Sequence, residues 1–291
     1  MVNGASPFGP LVDVDWLRRQ APADDLVIFD ARAHLTDPEE GRRLYLEAHI
    51  PGALHLDLKK DLSAPPGQGG GRHPLPDPQI LAAKLGRLGV DQNSRIVVYD
   101  DGSGHYAARA WWVLEYLGLD RVAVLDGGFA AWLAAGGPTS SGSADEERAL
   151  SRPPRTWQPQ PRRERVRDRE AIRRWLDQRP ADVYLVDARA PERYRGEQEP
   201  IDPVAGHIPG AVNLPHRDLL GPDGRWLGPH ELRRRLGPLR DAREVIVYCG
   251  SGVSACANLL AMRLAGLDNG VLYPGSWSDW CSDPDAPVER G

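Results

Sequence analysis

At 291 residues, with 41% hydrophobic and 26% charged residues, the chain has the composition of a globular protein long enough for two ordinary domains. A formal charge of −5 excludes a global basic field for nucleic acid or an anionic membrane surface. No apolar run approaches the roughly 20 residues that a membrane-spanning helix needs. The opening stretch MVNGASPFGPLVDVDWLRRQ lacks the basic start and apolar core of a secretory leader, so a cytoplasmic location is expected. The first strand-like run is LVIFD (26–30), followed by a D-A-R triplet at Asp30–Arg32 and by AHIPGAL (48–54). A glycine- and proline-rich insert, SAPPGQGGGRHPLP (63–76), comes next; its GQGGGR run lacks the G-K-[ST] ending of a phosphate-binding loop. DPQILAAKLGRLGV (77–90) spaces its apolar residues as a helix does and stops near Gly86 and Gly89. IVVYD (96–100) and VAVLD (122–126) are two further strands, the second leading into GGFAAW (127–132). The stretch 136–166, rich in proline, serine and mixed charge, reads as a solvated linker.

After that stretch the pattern repeats in the same order. LVIFDAR returns as VYLVDAR (183–189), AHIPGAL as GHIPGAV (206–212), RIVVYD as EVIVYC (244–249), and VLDGGFAAW as VLYPGSWSDW (271–280). Such ordered self-similarity means one structural unit written twice. The expected division is a first domain over 1–138, a linker over 139–164 and a second domain over 165–291. Continuous Val/Ile/Leu runs without polar alternation predict strands covered on both faces, hence a mainly parallel sheet with helices on both faces in each copy. Ligands of such α/β sheets gather at the carboxyl ends of the strands. Asp30–Arg32 and Asp187–Arg189 read as braces for strand ends, and His49 and His207 as framework of the repeated HIPGA turns. Trp111, Trp112, Trp277 and Trp280 read as core and interdomain packing.

Cys249 stands at one of those strand ends, where the first copy has Asp100. Gly250, Ser251, Gly252, Val253 and Ser254 follow, then a helix from about Ala255 to Leu264 that stops near Gly266. Two glycines let the backbone curl with its N–H groups turned inward, and the helix adds its unpaired amides and positive dipole end. Ser251 and Ser254 can add hydroxyl donors, and Ser254 is placed as the helix N-cap. A free cysteine titrates near about 8.5, and lowering that by about two pH units takes about 2.7 kcal/mol of anion stabilisation. Charge-assisted N–H bonds of about 1.5–3 kcal/mol each supply that amount, with no histidine needed inside the loop. Cys249 is thus the candidate nucleophile, while Cys256 and Cys281 read as structural. An odd, sparse cysteine set without C-x-x-C points away from a disulfide framework or a metal site and toward a reducing compartment. Only Lys59, Lys60 and Lys84 of the 36 basic residues are lysine, which with the abundant Ala, Gly and Pro suggests a GC-rich bacterial genome.

Two copies carrying D-A-R, H-I-P-G-A, the V-V-Y-[CD] strand end and a G-G/G-S…W ending resemble the tandem-domain rhodaneses over nearly the whole chain. That resemblance implies a sulfurtransferase whose second copy is catalytic through Cys249 and whose first copy has lost its cysteine. The uncharged CGSGVSA loop resembles the mercaptopyruvate branch of the family, with transfer from 3-mercaptopyruvate through a Cys249 persulfide; the alternative is a thiosulfate-preferring enzyme of the same fold. The resemblance assigns donor binding to Arg193, to the loop residues Gly250–Ser254 and to His73, which it places facing the cleft. A second substrate arginine is missing: Ile201 or Asp202 stands there, and Arg195 is the available replacement. The implied partners are a small-molecule sulfur donor and either a thiol acceptor, a thioredoxin-like protein included, or cyanide; no cofactor and no metal are implied. A cysteine-loop phosphatase would need a longer loop closed by an arginine, which is absent, and a non-catalytic sensing module would be expected had the second cysteine been lost too.

Overall fold

The computed structural model describes residues 8–20, 23–67 and 69–291. The opening stretch 1–7, which was read for a secretory leader, and Gln68 of the glycine run fall outside them. The chain divides into two compact units. The first holds the chain through Ser63, then Pro76–Arg162 and Pro222–Arg225; the second holds Ala64–Leu75, Arg163–Gly221 and Trp226–Gly291. The glycine-rich insert of the first copy therefore belongs structurally to the second unit.

In the first unit β1 (Leu11–Val12), β2 (Leu26–Asp30), β3 (Leu54–His55), β4 (Arg95–Tyr99) and β5 (Val122–Leu125) form one parallel sheet in the order β1-β5-β4-β2-β3. β4 and β5 are buried almost throughout, as strands covered on both faces must be. Among the covering helices, α3 (Pro78–Arg87) shows how closely local chemistry sets an element. Asp77 accepts from the amides of Gln79 and Ile80 at 2.9 and 3.0 Å, and Pro78 occupies the first turn, where its missing N–H costs nothing. α4 (His105–Tyr116) brings Trp111 and Trp112 into the core fully buried.

The second unit repeats the plan. β6 (Val183–Asp187), β7 (Val212–Asn213), β8 (Glu244–Tyr248) and β9 (Gly270–Leu272) make a parallel sheet in the order β7-β6-β8-β9. A single parallel bridge from Val166 to Leu272 stands where β1 pairs in the first copy. α10 (Ala255–Leu264) follows the cysteine loop within the predicted bounds, and α11 (Ser276–Trp280) buries Trp277 and Trp280. Among the described residues no helix is long and apolar enough to cross a membrane.

The stretch read as a solvated linker is more structured than its composition indicates. It forms α6 (Ala144–Leu150), and the backbones of Arg155, Gln160 and Arg162 donate to carbonyls of Gly86, Leu117 and Tyr116 in the first unit. Its charge is spent on specific partners: Glu146 accepts from Arg42 and Asp145 from the Gly52 amide. Mixed charge reads as solvated until tertiary structure supplies the partner.

Candidate active site

β8 is paired with β6 so that Tyr248 faces Asp187 at the carboxyl end of the sheet. Asp187 is buried and holds Arg189 through both carboxylate oxygens, the closest contact being 2.7 Å. Arg189 continues to the Gly206 carbonyl at 2.6 Å and lies over the Trp277 ring. The Tyr248 hydroxyl accepts from the Ile208 amide. His207 stacks on Tyr194 with Nδ1 2.7 Å from that residue's carbonyl. The first copy repeats each contact, with Arg32 on Asp30 and the Ala48 carbonyl, Ile50 on Tyr99 and His49 on Tyr45. The D-A-R and H-I-P-G-A motifs are therefore the frame that presents the next residue of the strand.

That residue is Cys249. Its sulfur accepts the Gly252 amide at 3.1 Å. Gly252 has φ +77°, and a Cβ there would lie 2.5 Å from the Pro274 carbonyl oxygen, so glycine is required for this amide to reach the sulfur. The amides of Gly250, Ser251, Val253 and Ser254 bond to no described residue, which leaves them as donors for a bound anion. The Gly252 amide reaches the sulfur itself, while the ring of donors the sequence suggested consists mainly of amides beside it. Ser254 occupies the N-cap of α10, but its backbone is already helical and its hydroxyl makes no cap bond, so the capping role assigned from sequence is not realised. Cys256 is core: its thiol donates to the Gly252 carbonyl. Cys281 is buried as well, and burial pushes its thiol up.

The far side of the loop rests on α11. The Cys249 amide donates to the Ser276 hydroxyl at 3.1 Å, while the Cys249 and Gly250 carbonyls accept from Trp277 and Ser278. Ser276 has φ +55°, a conformation costly for any residue with a Cβ. The first copy has Gly128 at the corresponding place, with φ +58°. A serine tolerated in a glycine conformation, with its hydroxyl on the Cys249 amide, was visible in the repeat as GSW against GGF but carried no chemical meaning there.

The first copy shows what such a loop does with a negative charge. Asp100, at the place of Cys249, accepts from the amides of Gly102, Gly104, Tyr106 and Ala107 at 2.9–3.1 Å. Burial, with the Asp101 charge beside it, pushes the carboxyl up to about 6 against these donors. The folded state thus holds the Asp100 proton more tightly than the unfolded chain. This stabilises the fold below about pH 4, and the stabilisation is lost as pH rises through about 6. Between those values wild type is expected to lose about 1–3 kcal/mol relative to Asp100→Asn. Urea unfolding of both proteins at a series of pH values measures this, and parallel pH profiles would show the carboxyl to be untuned.

His73 comes to the cysteine loop from far along the chain: Nδ1 lies 2.8 Å from the Ser251 hydroxyl, and the histidine is buried. The loop contains no histidine, as read, yet one serves it. Two guanidinium groups flank Gly250. A methyl there would sit 3.1 Å from Arg72 Nη2 and 3.5 Å from both terminal nitrogens of Arg193. Arg193 donates to Glu199 at 2.6 Å and to Asp202 at 3.2 Å, and Arg72 is ion-paired with the other oxygen of Asp202. Glu199 also accepts from Arg189 and from the amides of Ile201 and Asp202. Burial pushes the Arg72 guanidinium down from its usual range, while Cys249 pulls it up. Arg195 is exposed and tied to Glu197, so it does not replace the missing arginine; Arg72 stands at the loop instead. Sequence reasoning passed over Arg72, Glu199, Asp202 and Ser276 as parts of the site. The one signal for Arg72 was its adjacency to His73.

A cavity of about 830 Å³ opens in the first unit beside Leu26, Ile50 and Trp132, and no residue of the cysteine loop lines it. Among the described residues no cluster of three His, Cys, Asp or Glu side chains is placed to hold a metal ion.

Residues 13–135 and 168–283 each match the rhodanese-like domain family. Two relatives carry provisional names. A Pseudomonas aeruginosa protein named as a 3-mercaptopyruvate sulfurtransferase is 48% identical over 97% of this chain and 98% of its own length. A Mycobacterium tuberculosis protein, SseB, named as a thiosulfate sulfurtransferase, is 41% identical over 92% of each chain. The crystal structure of SseA from Escherichia coli, a 3-mercaptopyruvate sulfurtransferase, superposes with a TM-score of 0.78 at 29% identity, covering 93% of this chain and 99% of that one. Two matched regions, two parallel sheets of one plan and full-length similarity to enzymes of one kind lead to one conclusion: the chain belongs to the rhodanese-like domain family, as a tandem-domain sulfurtransferase.

Proposed function

We propose that the enzyme transfers sulfur from 3-mercaptopyruvate to a thiol or to cyanide through a persulfide on Cys249. The Cys249 sulfur attacks the donor's sulfur. The donor's C–S bond breaks with its electron pair moving to carbon, and the thiol proton ends on that carbon, so pyruvate leaves and Cys249 carries the added sulfur. Arg193 holds the donor carboxylate, and Ser251, fixed by His73, contacts the reacting end. The unbonded amides of Gly250, Ser251, Val253 and Ser254 then receive the charge on the terminal sulfur. A thiol acceptor, a small thiol or a thioredoxin-like protein, or else cyanide, attacks that sulfur and restores Cys249. In this reading residues 1–138 are non-catalytic, because the Asp100 carboxylate cannot carry sulfur; residues 139–164 connect the copies; residues 165–291 hold the reaction; and the enzyme works in a reducing bacterial cytoplasm.

The observation that carries the proposal is the cysteine at the strand end, with an amide on its sulfur and free amides around it. Intact mass after exposure to mercaptopyruvate tests it: wild type gains about 32 Da, one sulfur, and Cys249→Ala gains nothing. An unchanged wild-type mass sinks the mechanism. Thiosulfate is the second donor to consider, favoured by the name of the Mycobacterium tuberculosis relative. The ratio of kcat/KM for the two donors decides between them.

A further inference from the structure

We infer that Arg72 is the second donor-binding arginine of this enzyme and that Asp202 sets the donor charge the pair accepts. The inference rests on the reading of Cys249 as the sulfur carrier. Arg72 is anchored on both sides. Its own amide donates to the Ser278 hydroxyl at 3.1 Å, the Gly70 amide donates to Asp279 at 3.0 Å, and His73 next to it is bonded to Ser251. Gly71 has φ +73°, and a Cβ there would lie 2.3 Å from the Gly275 carbonyl oxygen, so the insert lies flat against α11. Its glycine run is a close-packing segment that delivers Arg72 to Gly250. The Arg72 side chain keeps about a third of its surface exposed (32%), so a donor can reach it, whereas the Asp202 side chain is buried (3%).

Asp202 gives one carboxylate oxygen to Arg72 and the other to Arg193, fixing the two forks side by side. Around them stand three arginines, Arg72, Arg189 and Arg193, and three carboxylates, Asp187, Glu199 and Asp202. The resting cluster is therefore charge-balanced. A monoanionic donor such as mercaptopyruvate can take guanidinium N–H groups that Asp202 leaves unused. A dianion such as thiosulfate brings a second charge that meets no net compensation. Removing the Asp202 charge leaves the cluster one positive charge in excess, and a dianion gains twice as much from it as a monoanion.

Steady-state kinetics of the full-length enzyme with both donors provides the test. Asp202→Asn is expected to raise the thiosulfate-to-mercaptopyruvate ratio of kcat/KM by about tenfold. Arg72→Gln is expected to raise KM for both donors by about tenfold or more, with kcat changed far less and the 32 Da adduct still formed at saturating donor. Arg72→Lys, which keeps the charge and loses the fork, is expected to fall between wild type and Arg72→Gln. If Arg72→Gln melts early, Arg72→Lys alone carries the Arg72 arm. Unchanged KM values in the folded Arg72 variants, or an Asp202→Asn effect equal for both donors, overturn the inference. A wild-type protein that never gains sulfur overturns the Cys249 reading instead, so the two failures are distinct.

Discussion

Cys249→Ser is expected to lower kcat/KM for either donor by about four orders of magnitude or more, the scale seen when a nucleophile is removed. The serine oxygen fits the space and can still accept the Gly252 amide, so the loop keeps its shape. What disappears is a polarisable sulfur able to bond a second sulfur and release it again. The other thiols cannot take over. Cys256 is buried and donates to the Gly252 carbonyl, and Cys281 is buried with its thiol pushed up. Cys256→Ala serves as the control, with turnover close to wild type and stability reduced by about 1 kcal/mol. The assay is steady-state formation of pyruvate and of thiocyanate with cyanide as acceptor. Residual turnover above about one per cent in Cys249→Ser would mean that the sulfur travels by another route.

The second large effect falls on stability. Arg189→Ala is expected to destabilise the second unit by about 3–5 kcal/mol, the range for breaking a buried ion pair by removing one partner. Arg189 is almost fully buried, and burial alone would push its guanidinium down; the charge of Asp187 outweighs that and raises it. Without it, Asp187 is left buried and uncompensated, the Gly206 carbonyl loses its donor, and the Trp277 face loses its cation. Arg189→Lys keeps the charge and cannot span Asp187 and Gly206 together, so an intermediate loss is expected. Urea denaturation followed by tryptophan fluorescence reads both variants. A loss below about 1 kcal/mol for Arg189→Ala would show that water enters and resolvates Asp187. The frame that presents Cys249 would then be far softer than its geometry indicates.

Residues close together in sequence carried most of the fold. The repeated LVIFDAR and VYLVDAR runs, with their apolar continuity, determine buried parallel strands, and Asp77-Pro78 determines where α3 begins. The strand end, the glycines and the following helix likewise marked Cys249 as the candidate nucleophile, because a loop that turns its amides inward is built from neighbouring residues. Ser254 shows the limit even there: the residue type suits an N-cap, but its helical dihedrals turn the hydroxyl away from that use.

What only tertiary structure decided is which distant side chains serve the loop. His73, Arg72 and Ser276 reach it through packing of the insert and of α11, and the mixed-charge stretch before the second copy found its partners the same way. The missing arginine near Ile201 left Arg195 as the available replacement along the chain. In space, Asp202 occupies that place and draws in Arg72. Short-range patterns register backbone periodicity and local hydrogen bonding, which act within a few residues. Charge pairing acts through distance in space, and two residues 130 positions apart become neighbours only after the core has closed.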